Sequence, residues 1–123
     1  MNSFDLAVKE VCAKDARYSP DAYQYLREVL DFTVKRIMEA EGQPRHVSGE
    51  ELMLSFRDYT LQEFGPMSHS LLKEWGLKKT LDVGEMVFNL IDVGEFSKED
   101  GDSLNDFKLI YSFKDAFDAP FLP

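Results

Sequence analysis

The sequence predicts a mainly α fold closed by a small C-terminal β-hairpin. Three observations predict it. Apolar residues recur at the helical period in five stretches up to Val93, a short glycine-containing turn (Gly76-Leu77-Lys78-Lys79) separates the last two, and beyond Gly94 the period shortens to two. Helix, short turn, helix and hairpin is the order of a winged-helix-like helix-turn-helix core, here preceded by two helices.

The first helix is expected from about Phe4 to Asp15, with Phe4, Val8, Val11 and Cys12 on one side. Ser19 suits the cap of the second. Pro20 takes its first position, where a missing N–H is harmless, and Asp21 lies near its positive end. That helix runs to about Glu41 on a stripe of Ala22, Leu26, Val29, Leu30, Thr33 and Ile37, and Gly42-Gln43-Pro44 ends it. Ser48-Gly49-Glu50-Glu51 reads as a capping box. The helix behind it, to about Phe64, puts Leu52, Met53, Phe56, Tyr59 and Thr60 on one broad face. Leu54 and Leu61, seven residues apart, share the roughly opposite side and make a second apolar face.

Gly65-Pro66 restarts the chain into a short helix ending near Trp75. Gly76 fits the left-handed position after it, with Leu77 placed to touch Leu72. Thr80 is expected to cap the next helix, which runs to about Val93 and is apolar around most of its circumference. Only Glu85, Asn89 and Asp92 form a polar strip, so this helix is expected to be largely buried. Gly84 interrupts it at about 1 kcal/mol relative to Ala, which the close approach of a neighbouring helix would explain. Phe107, Leu109, Tyr111 and Phe113 then alternate with Lys108, Ile110 and Ser112 as a strand. Phe96 begins a shorter partner, and Glu99 to Ser103 supplies the turn. The expected organisation is one domain over residues 1–123: a helical pair (1–47), the winged-helix-like part (48–113) and a tail (114–123) with one helical turn around Phe117.

The 123 residues, 44% hydrophobic, suffice for one buried core. Cys12 is the only cysteine, so an internal disulfide is excluded. No signal-peptide pattern and no long apolar run occur, which leads us to expect a cytoplasmic protein without a membrane role. The net charge of −9 is unevenly spread. Residues 1–47 carry seven basic and eight acidic side chains; residues 48–123 carry seven and fifteen. Between Leu81 and Asp106 eight carboxylates face Lys98 alone.

That charge argues against the function the architecture suggests. A DNA-reading helix needs Arg, Lys, Asn or Gln toward base edges and cations near phosphates. The candidate helix has no Arg or Lys, and the candidate wing carries Glu99, Asp100 and Asp102. Phosphate loops, nucleophile elbows and zinc-binding helices have no counterpart here, and no cofactor is expected. Asp100-Gly101-Asp102 begins like a calcium loop, but Asn105 stands where glycine belongs and Tyr111 where glutamate belongs. The expected role is therefore a non-enzymatic protein-interaction module, with self-association through Leu54 and Leu61 as one form of it. Two alternatives stay open: a nucleic-acid-binding winged-helix protein, and a small-ligand or enzymatic site around Arg45 and His46, with Glu50 or Glu51 as the partner of His46. Arg17 and Tyr18, the other polar pair considered, lie at the far end of a helix about 30 Å long.

At Arg45-His46-Val47-Ser48-Gly49, Phe64-Gly65-Pro66-Met67, Trp75-Gly76 and Gly84-Glu85-Met86-Val87-Phe88-Asn89-Leu90 the chain resembles a family of small acidic bacterial proteins of unknown function. Asp102-Ser103, Asp106-Phe107 and Phe113 continue the resemblance. It implies a soluble bacterial protein and carries over no activity, cofactor or site residue.

Overall fold

Side chains from the flanking turns start and stop the helices. The computed structural model describes all residues from Met1 to Pro123. In α1 (Ser3–Lys14), the Asn2 side-chain oxygen accepts from the Asp5 N–H at 2.8 Å. In α2 (Pro20–Glu41), Ser19 caps Ala22, and Gly42 ends the helix in the left-handed region at φ 79°. In α3 (Gly49–Phe64) the capping box is complete: Ser48 Oγ accepts from the Glu51 N–H at 3.1 Å and Glu51 Oε1 accepts from the Ser48 N–H at 3.0 Å. A 3₁₀ turn leads into α4 (Ser68–Glu74), which closes as expected. Gly76 sits at φ 93°, and the Leu77 N–H reaches back to the Leu72 carbonyl at 2.8 Å.

The start of α5 (Thr80–Asp92) differs from expectation. Asp82 reaches back to accept from the N–H groups of Lys78 at 2.8 Å and Lys79 at 3.2 Å. Thr80 is buried instead, and its hydroxyl donates to the Phe107 carbonyl at 2.6 Å.

One continuous apolar core draws on every helix and on the C-terminal segment, with Tyr23, Phe56, Leu72, Met86 and Phe117 wholly enclosed. Burial of each such side chain is worth about 1.5–3 kcal/mol. Cys12 and Trp75 pack on the edge of this core, Trp75 with its ring 5.1 Å from that of Tyr25.

The fold is all-helical, so the expected C-terminal hairpin and winged-helix wing are absent. What stands in their place is a run of short turns: a 3₁₀ turn at Leu104–Phe107, a π turn at Lys114–Asp118 and a 3₁₀ turn at Ala119–Phe121. The reason is local. Ser103 and Asp106 form a second capping box, which winds the chain through Phe107, the first residue of the expected strand. Leu109 then takes φ 53°, which breaks any extended run, and its side chain is 86% exposed. Side chains replace the missing ladder. The Ile110 N–H donates to Thr80 Oγ1 at 3.3 Å, the Tyr111 hydroxyl to the Met53 carbonyl at 2.8 Å, and His69 Nδ1 lies 2.7 Å from Asp118 Oδ2.

Gly84 is explained by a ring rather than by a neighbouring helix. A Cβ there would lie 2.6 Å from Phe107 Cγ and 2.7 Å from Phe107 Cβ, the rigid base of a side chain that is 4% exposed. Glycine-to-alanine changes inside helices normally stabilise by about 1 kcal/mol. Here the sign reverses: Gly84→Ala should destabilise by about 1–3 kcal/mol, the usual cost of overpacking. Urea unfolding of the two proteins checks this, and a gain in stability would contradict the packing described.

Candidate ligand cavity

The α2–α3 loop places both sequence-predicted polar residues, and gives them different work. Arg45 is exposed and clamps the two helix ends together. Its Nη2 lies 2.7 Å from Glu41 Oε2 and 2.6 Å from Glu51 Oε2, and its Nη1 lies 2.9 Å from Glu51 Oε1. Nη1 also donates to the His46 carbonyl at 3.0 Å. The Arg45 guanidinium, helped by the Ser48 N–H, holds the Glu51 carboxyl down at about 2 from its ordinary 4.5. Glu41 is lowered by the same guanidinium.

His46 turns the other way. Its Nε2 is 2.8 Å from Asp102 Oδ2, a partner 56 residues downstream, while Glu50 and Glu51, the partners its sequence position offered, do not engage the ring. Asp102 also accepts from the Glu99 N–H at 2.9 Å, and these contacts lower its carboxyl.

The His46–Asp102 pair stands at the edge of a half-open cavity of about 260 Å³. Leu30 of α2 and Leu52 of α3 form part of its floor. One side of α5 contributes Val87, Phe88 and Ile91, and the C-terminal segment closes over with Phe96 and Phe107. The polar edge includes Glu95 and Asp106 beside the histidine pair.

Of the residues singled out from sequence, His46 lines this cavity; Arg45 does not, and touches it only through the His46 carbonyl. Leu54 and Leu61 lie elsewhere. Leu54 is 38% exposed on α3, whereas Leu61 is half-buried against the core, so the two do not form one free apolar face. Sequence reasoning missed Asp102 as the partner of His46, having read it as a turn and wing acid and as a rejected calcium-loop residue, and it missed the cavity-facing side of α5. The signal for the latter was present: α5 is apolar on more of its circumference than one core face requires.

Of the eight carboxylates between Leu81 and Asp106, five take part in the fold's own contacts. Asp82, Asp102 and Asp106 hold turns, Glu85 pairs with Arg17 at 3.4 Å, and Glu95 accepts from Ser3 Oγ at 2.9 Å. No helix is long and apolar enough to cross a membrane. No family model, curated protein or solved structure matches the chain.

The Arg45 clamp gives a pH signature. Because the folded Glu51 carboxyl titrates near 2 instead of 4.5, its stabilisation is complete above 4.5 and is lost as pH falls toward 2. Arg45→Gln should therefore lower Tm at neutral pH, and the gap from the parent protein should close between pH 4.5 and 2. Thermal melts across that range measure it; a gap that stays constant would remove Arg45 from the account.

Proposed function

We propose that the chain is a small-ligand-binding protein whose site is the cavity edged by His46 and Asp102. The observation that carries this reading is the combination of an apolar floor with a few converging polar groups in one concavity, the usual make-up of a ligand site. Its volume of about 260 Å³ is slightly below the range of drug-sized pockets and suits a compact ligand. Val87, Phe88, Ile91 and Phe96 remain half-exposed around it, so a bound apolar group would remove their remaining surface from water.

The competing roles have less to stand on. The nucleic-acid reading took a helix-turn-helix with a wing; the wing segment is a series of turns, and α5 carries neither Lys nor Arg. The self-association reading relied on Leu54 and Leu61 together; Leu54 alone is exposed, and isolated exposed leucines are ordinary.

Titrating small aromatic compounds into isotope-labelled protein tests the proposal. The amides of Val47, Val87 and Phe107 should shift together on binding, and Val87→Phe, which fills the floor, should abolish the shifts while leaving the protein folded. The reading fails if no compound moves those amides, or if Val87→Phe binds as well as the parent.

A further inference from the structure

The charge around the cavity narrows what it takes, an inference that rests on the ligand-binding reading above. We infer that the ligand is a small protonated amine carried on an apolar body. The apolar cavity makes the site; the acids at its edge fix the sign of the ligand. Glu95, Asp102 and Asp106 line it, and neither Lys nor Arg does.

None of the three forms an ion pair with Lys or Arg; the His46 ring lies against Asp102, and Lys98 is near enough to help lower the Asp102 carboxyl. Each carboxylate commits one oxygen to the fold. Glu95 Oε2 accepts from Ser3, Asp102 Oδ2 from His46 and Glu99, and Asp106 Oδ2 from the Ser103 N–H. Glu95 Oε1, Asp102 Oδ1 and Asp106 Oδ1 accept no hydrogen bond from the protein. An ammonium group carries three N–H donors and no acceptor, the complement of such an edge. An anionic head would meet three like charges instead.

Size restricts the apolar body. The half-open cavity of roughly 260 Å³ suits one ring or a short branched chain as the enclosed apolar part.

Three probes of matched shape separate the possibilities: 2-phenylethylamine, 2-phenylethanol and 3-phenylpropionate, each titrated at neutral pH and low salt with amide shifts as the readout. The amine should bind at least about tenfold tighter than the alcohol, and the acid should not saturate. Added salt should weaken the amine and leave the alcohol unchanged. Glu95→Gln combined with Asp106→Asn, which keeps an acceptor for Ser103, should bring the amine to within about threefold of the alcohol. If that pair of changes unfolds the protein, Glu95→Gln alone should still weaken the amine selectively. Alcohol binding as tight as the amine overturns the charge assignment and leaves the cavity reading standing. Failure of all three probes to move the cavity amides overturns both.

Discussion

The structure depends on the seating of Phe107 against glycine. Its ring fills space beside α5 that any side chain at Gly84 would occupy, and its outer edge comes within 3.1 Å of where a Cβ on Gly49 would stand. A single side chain thereby packs against the start of α3 and the second turn of α5, and carries the irregular C-terminal segment with it. The Thr80 hydroxyl fixes the Phe107 carbonyl at 2.6 Å and also accepts from the Ile110 N–H at 3.3 Å, so backbone groups that a strand would have paired are satisfied by a buried threonine. Phe107 is also part of the cavity wall. Fold closure and cavity formation are one packing event.

The same economy governs the charges. A tract with eight carboxylates and one lysine invites a reading in terms of long-range repulsion, yet most of those groups act at hydrogen-bond range. Asp82 accepts from two backbone N–H groups and from the Tyr18 hydroxyl at 2.9 Å, which ties the start of α5 to the α1–α2 turn. Asp106 closes the box that winds residues 103–107. Short polar side chains beside backbone donors stabilise turns whatever the net charge of the region.

How much was legible in the sequence follows from the range of each interaction. The five helices, the Ser19 and Ser48 caps and the Gly76 stop depend on residues within a few positions of one another, and these were readable. The hairpin was misread because Phe107, Leu109, Tyr111 and Phe113 satisfy a two-residue period for separate reasons. Phe107 and Phe113 are buried in the core, Tyr111 is pinned to α3 through its hydroxyl, and Leu109 points outward. A seven-residue alternation does not distinguish a strand from such a series of anchors. The contrary cue was Ser103 with Asp106 three positions on, the pattern that identified α3 at Ser48 and Glu51. The partner of His46 was beyond reach, since nothing local to His46 points to a residue 56 positions away.

The cavity was foreshadowed by surplus apolar surface, which the sequence suggested on α3 and which lines a cavity on α5. On α3 the surplus rested on two leucines, and the core absorbs one of them. On α5 it is real. Val83, Gly84, Met86 and Leu90 face the core, and Val87, Phe88 and Ile91 open onto the cavity, so one helix has two apolar faces with different roles. A helix that is apolar nearly all round is ordinarily buried all round. Protein interiors are close-packed, and apolar surface facing unfilled space forgoes contacts that a slightly larger neighbour would supply. A fold that seats Phe107 against Gly84, yet opens the next turn of the same helix onto a cavity, has that cavity where His46, Glu95, Asp102 and Asp106 also line it. That coincidence of place, more than the volume itself, favours an occupant over a packing defect.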